Sequence, residues 1–125
     1  MPKTIFSIIE SPSHPVLTSL YAECGLEEQR FTSMRKAISA LKKTKPDFVV
    51  ADFIYGYGNN YAGVNVSNLD VFLYSLQKYA PDAKVIALVS KQEQSFVSKL
   101  AELFPLHGTL LYPVTREQMQ QLIDG

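Results

Sequence analysis

Two short runs, "DFVVADF" (47–53) and "KVIALVS" (84–90), are apolar at almost every consecutive position. A strand with one solvated face alternates apolar and polar residues. These runs do not alternate, so both of their faces must be covered. At this length, and rich in β-branched residues, they read as central strands rather than helices. Strands buried on both sides belong to a parallel sheet with helices packed above and below it. That requirement constrains the rest of the chain more than any other feature.

The flanking sequence supplies the helices. "TIFSIIE" (4–10) reads as the first strand, followed by the turn "SPSHP" and a helix. Pro15 fits the first turn of that helix, Val16, Leu17, Leu20 and Tyr21 recur at helical spacing, and Gly25 is a natural stop. The polar "EEQRFTSM" reads as a short edge strand. Met34, Ile38 and Leu41 place an apolar face on the next helix, whose lysines Lys42, Lys43 and Lys45 fit its solvated, dipole-favoured end. A long connection over 53–66 precedes a helix opened by the capping-box pair Ser67 and Asp70, with Leu69, Phe72, Leu73 and Leu76 inward. After "PDAKVIALVS" comes a helix with Val97, Leu100, Ala101 and Phe104 inward. "TLLYP" is the fifth strand, preceded by Gly108, and Thr115 with Gln118 repeats the capping box before a last helix. The order is βα repeated five times. This predicts a doubly wound α/β domain over residues 1–125, with five parallel strands and right-handed crossovers.

Composition excludes several functions. Lysine plus arginine and aspartate plus glutamate balance to a formal net charge of zero, so no long-range field draws in nucleic acid or an anionic membrane. The apolar runs reach only about six residues, too short to span a bilayer as a helix. "MPKTIFSIIES" lacks the apolar core and cleavage site of a secretory signal, and the expected location is cytoplasmic. The single cysteine, Cys24, has no intrachain disulfide partner and suits a small buried hydrophobe.

In such a sheet, ligands bind beyond the carboxyl ends of the strands, where the strand order reverses. The strand ends here present Glu10, Asp52, Val89 or Ser90, and Tyr112 with Pro113. Along these ends the chain resembles the receiver domain of two-component response regulators, the CheY-like members of the flavodoxin-like fold. "KPDFVVAD" resembles the receiver third strand, which ends on the phosphorylated aspartate. "GTLLYPVT" resembles the fifth-strand signature, and "IFSIIESP" the first strand that ends at the acidic pair. The resemblance implies the strand order 2-1-3-4-5 and Asp52 as phosphoacceptor. It further implies a magnesium site at Glu10 and Asp52, switch positions at Ser90 and Tyr112, and a cis bond at Pro113.

The departures from the family pattern concentrate on charge. Ile9 stands where receivers carry one of two metal-binding acids, and Tyr112 replaces the lysine that neutralises the phosphoryl group. Val89 aligns with the switch hydroxyl, which Ser90 supplies only with a one-residue shift. Phosphoryl transfer to a carboxylate depends on positioning and charge neutralisation, and losing a single electrostatic donor costs about 3–4 kcal/mol. The expectation is a pseudo-receiver with weak magnesium binding, no other cofactor and impaired aspartyl phosphorylation. Against this, Asp52 is the polar end of a buried strand, Glu10 a hydrogen-bonded loop carboxylate, and His107 a surface loop residue. His14 is also a candidate to join Glu10 and Asp52 around a transition metal.

The segment holding Tyr55, Tyr57, Asn59, Asn60 and Tyr61 mixes tyrosine, asparagine and glycine, as contact surfaces do. Read as a surface connection it needs no partner; read functionally it is a partner-binding loop. The expected function is therefore a signalling module acting through protein contacts, using this loop and the fourth-helix to fifth-strand face. A histidine kinase or another signalling protein would be the partner, since no output segment is read in the sequence. The alternatives are a working phosphoacceptor regulator using Asp52, or a small flavodoxin-like nucleotide- or flavin-binding protein. "ESPSHP" lacks a glycine-rich phosphate cradle, which argues against the last.

Overall fold

A computed structural model describes residues 3–55 and 68–124. The described chain runs β1 (Lys3–Ile8), α1 (Thr18–Glu23), β2 (Leu26–Phe31), α2 (Met34–Leu41), β3 (Phe48–Asp52) and α3 (Asp70–Tyr79). It continues through β4 (Lys84–Val89), a 3-10 turn (Lys91–Glu93), α4 (Gln94–Leu103), β5 (Gly108–Leu111) and α5 (Arg116–Asp124). All strand pairs are parallel, in the order β2-β1-β3-β4-β5, which is the predicted sheet.

The fully apolar strands lie where their composition requires. Every residue of β3 is buried, and β4 is buried from Val85 to Val89. Alternate strand residues feed two cores. Phe6, Val49, Ala51, Ala87 and Val89 pack under α2, α3 and α4; Ile5, Val50, Ile86 and Leu88 pack under α1 and α5. Each fully buried aliphatic side chain contributes about 1.5–3 kcal/mol relative to exposure, so this double covering dominates the stability. The polar edge strand β2 has its own logic. Glu28 accepts hydrogen bonds from the buried Ser7 hydroxyl (2.6 Å) and from Thr18 Oγ1 (2.6 Å), tying the edge to the sheet interior and to α1.

Helix signals are met in most places. Thr115 Oγ1 accepts the Gln118 N–H (3.2 Å) while Gln118 Oε1 accepts the Thr115 N–H (3.0 Å), a reciprocal capping box. Gly25, at φ +78°, ends α1 in the left-handed region that glycine enters without strain. Gly108 lies so close to α5 that a Cβ would sit 2.7 Å from a Leu122 methyl group.

Four details depart from the sequence reading. Helix α1 begins at Thr18, not at Pro15, and Val16 is exposed, because residues 11–17 turn across the carboxyl end of the sheet. Ala101 faces solvent while Val97, Leu100 and Phe104 are buried as expected. Strand β5 stops at Leu111, ahead of Tyr112 and Pro113. His107 is half-buried instead of lying on the surface, donating from Nε2 to the Leu122 carbonyl (2.6 Å) and meeting Phe48 edge-on. Helix α3 starts at Asp70; its proposed cap Ser67 falls outside the described residues.

Candidate functional site

The carboxyl ends of β1, β3 and β5 converge on Asp52. Its position follows from the register: Ile8 pairs with Ala51, so the β1–α1 turn emerges directly beside the Asp52 side chain. The turn closes over the carboxylate. Oδ2 accepts the backbone N–H groups of Glu10 (2.8 Å) and Ser11 (3.0 Å), and Nδ1–H of His14 (3.0 Å). Oδ1 accepts the hydroxyl of Tyr112, just past β5. The side chain of Asp52 has no exposed surface, and the imidazole of His14 is only 3% exposed.

These donors explain the charge state. Burial pushes the Asp52 carboxyl up, but the hydrogen bonds from His14 and Tyr112, the His14 charge and the Glu10 N–H together hold it below the usual carboxylate range. The same contact acts oppositely on Tyr112. Burial, then the hydrogen bond to Asp52 and its negative charge, push the phenol well above its ordinary value, so it remains a donor. The Tyr112–Pro113 peptide bond is cis.

Asn68 braces the site from the other side. Its Nδ2 donates to Glu10 Oε1 (2.5 Å) and to the Asp52 carbonyl (2.8 Å), while Oδ1 accepts the Ile54 N–H (2.8 Å). Its own N–H donates to the Ile54 carbonyl (3.1 Å). Burial raises the Glu10 carboxyl, the Asn68 bond opposes this, and the neighbouring Asp52 charge adds to the rise.

The structure thus brings Glu10, Asp52 and Tyr112 together, and adds His14 and Asn68. The Ser90 hydroxyl donates to Glu93 Oε1 (3.0 Å), and Glu93 Oε2 accepts the Tyr55 N–H (2.8 Å). Tyr55, 43% exposed, stacks on Phe96 with ring centroids 3.9 Å apart. Tyr57, Asn59, Asn60 and Tyr61 lie outside the described residues. Among the described residues, no three histidine, cysteine or acidic side chains gather as a metal cluster. No helix of the described residues is long and apolar enough to cross a membrane.

Sequence reasoning missed Asn68 and Glu93, and weighed His14 only as one candidate metal ligand beside Asp52, without its hydrogen bond to that carboxylate. An asparagine just ahead of a helix is a residue type that ties loops, which was the available signal for Asn68.

Comparison with solved structures places the fold among receiver domains. The chain is similar to a response regulator receiver domain protein from Clostridium thermocellum, at 19% identity and a TM-score of 0.72, covering 98% of this chain and 91% of that one. It is similar to the signal receiver domain of a LuxO repressor protein from Vibrio parahaemolyticus, at 14% identity and TM-score 0.74, covering 99% and 88%. The chemotaxis protein CheY4 of Vibrio cholerae aligns over 99% of this chain and 98% of its own, at 12% identity and TM-score 0.75. No family model matches the sequence, and neither does any curated protein. At these identities the likeness establishes a shared fold: the five-stranded receiver architecture.

Proposed function

We propose that this chain is a receiver-like signalling module that works through protein–protein contacts and in which Asp52 holds the fold together instead of accepting phosphate. One observation carries the reading. The Asp52 carboxylate is fully buried, and both oxygens accept hydrogen bonds from within the chain. A phosphoryl acceptor needs an oxygen open to in-line approach, together with cations that neutralise the incoming charge. Here the approach is filled by the β1–α1 turn. His14 stands on the carboxylate itself, with Tyr112 beside it.

The residues present do not fit a magnesium ion. Such a site demands several oxygen donors in near-octahedral array. Ile9 supplies none from its side chain, Glu10 is bound to Asn68, and Asp52 is saturated. The partner on this reading is a protein, a histidine kinase or another signalling component. It would be engaged through Tyr55 and the residues following it, and through the face of α4 and β5.

The test uses magnesium with acetyl phosphate, read by intact mass, and with beryllofluoride, read by amide chemical shifts. Neither wild type nor Asp52→Asn should respond. A mass gain and shift changes in wild type that vanish in Asp52→Asn would overturn the reading.

A further inference from the structure

His14 has one ring nitrogen engaged and the other open. Nδ1 lies 3.0 Å from Asp52 Oδ2, and an ionised carboxylate can only accept, so Nδ1 carries the proton. In the neutral imidazole Nε2 then holds the lone pair. Among the described residues nothing hydrogen-bonds to Nε2, and the Tyr21 hydroxyl is the one sealed side-chain polar atom without a partner. Nε2 therefore belongs to the 3% of the His14 side chain that reaches solvent.

The cavity that His14 lines measures about 160 Å³ and lies between the β1–α1 turn and the edge strand β2. A single water needs only roughly 15 Å³, so a small tetrahedral group has room there. Ser11, His14, Thr18, Glu28 and Arg30 form its polar wall, and the rest is apolar. Arg30 is exposed and, among the described residues, forms no ion pair. Glu28 is the acid on the same wall, and it is engaged by the Ser7 and Thr18 hydroxyls at 2.6 Å each. The wall thus sets one unpaired guanidinium beside one carboxylate, with the Asp52 charge sealed behind the imidazole.

A base oriented through its far nitrogen by a buried carboxylate, with its lone pair open to a cavity, is an activated nucleophile. We infer that His14 Nε2 accepts a phosphoryl group from a phosphoramidate, a donor with a P–N bond. The Nε2 lone pair forms the new N–P bond. The donor's own P–N bond breaks, and its electron pair leaves with ammonia. Nδ1 keeps its proton, and the Asp52 carboxylate offsets the positive charge that the ring acquires. A neutral nitrogen sets no second anion against the incoming group, so this transfer needs less charge neutralisation than transfer to a carboxylate. Near neutral pH a phosphoramidate carries an ammonium beside its phosphoryl oxygens, which suits a wall with Arg30 next to Glu28. An acyl phosphate is anionic throughout and meets Glu28 without compensation. This role for His14 rests on the reading above, in which Asp52 is a hydrogen-bonded carboxylate and not the acceptor.

The experiment incubates the full chain with potassium phosphoramidate and, in parallel, with acetyl phosphate, both without magnesium. Intact mass follows the rate, and fragmentation at alkaline pH locates the group. Phosphoramidate should add one phosphoryl group on His14, stable in alkali and lost in acid, while acetyl phosphate should add none. His14 should react at least about tenfold faster than His107, and than His14 itself in the urea-unfolded chain. Arg30→Gln, a change at an exposed residue, should slow the reaction at least about tenfold, and His14→Gln should abolish it. Mapping on the wild type keeps the test valid if the His14 change disturbs folding. Ring nitrogen NMR shifts should place the imidazole proton on Nδ1. No gain, a His14 rate matched by the unfolded chain or by Arg30→Gln, equal reaction with acetyl phosphate, or a proton on Nε2 would each overturn the assignment and leave the structural role of Asp52 standing. An alkali-labile gain that vanishes in Asp52→Asn would instead put the group on Asp52 and sink both readings.

Discussion

Strand β3 is bracketed by two aspartates whose surroundings differ sharply. Asp47, ahead of the strand, is exposed, and its carboxylate accepts one backbone N–H, that of Thr4 at 2.9 Å. Asp52, at the other end, is buried, and its carboxylate serves donors from two parts of the chain, the β1–α1 turn and Tyr112 past β5. The residue type and the strand are the same. What differs is the covering: at the carboxyl end the β1–α1 turn folds back over the side chain, and at the amino end nothing among the described residues closes over Asp47. A buried carboxylate is stable there only because each oxygen is partnered, since an unpaired buried charge is costly. On the reading proposed above, the partners that make Asp52 tolerable are also the ones that take it out of phosphoryl chemistry.

The contrast can be broken most forcefully by truncation. Asp52→Ala should cost about 3–5 kcal/mol in urea unfolding, because it strands two backbone donors, the His14 imidazole and the half-buried Tyr112 phenol. Asp47→Ala should cost about 1 kcal/mol, the loss of one exposed hydrogen bond. Equal costs would mean that the closure over Asp52 contributes nothing. Tyr112→Phe is the milder probe, removing a single donor to a charged acceptor at a cost of about 1.5–3 kcal/mol in the same assay.

The smallest effect is the pH dependence. Asp52 has a depressed folded-state pKa, so its contribution is fully present above the ordinary aspartate value near 3.9 and is lost as pH falls through its lower folded value. Thermal melts on the acid side of pH 4 should therefore show a steeper loss in wild type than in Asp52→Asn. Glu10 works in the opposite sense. Its raised pKa means that ionisation opposes folding, so protonation gives back a little stability at mildly acidic pH. Identical acid limbs for the two proteins would remove Asp52 from the account.

The layered sheet was legible because β3 and β4 are apolar without alternation, a pattern only a doubly covered parallel strand explains. Asp52 was legible as the one carboxylate ending such a strand. Its partners were not, because they converge through tertiary geometry: His14 from a proline-flanked turn, Tyr112 from beyond β5, Asn68 from the far side of a segment with no periodic signal. The apolar Ile9 and the uncharged Tyr112 were readable in the sequence as departures in charge from the receiver pattern the chain resembles. The internal hydrogen bonds to Asp52 appear only once the turn is seen lying on the carboxylate. The start of α1 was misplaced for the same reason, since Val16 and Leu17 have helical spacing but belong to the covering segment.

The paired hydrogen bonds between Ile54 and Asn68 work as a clasp. They bring two points of the chain together independently of what the sequence between them contains. Lengthening a segment whose ends are already joined costs only about 0.6 kcal/mol per doubling. Substitutions or insertions between Tyr55 and Asn68 therefore leave the joined ends, and the strand end at Asp52 to which Asn68 is tied, in place.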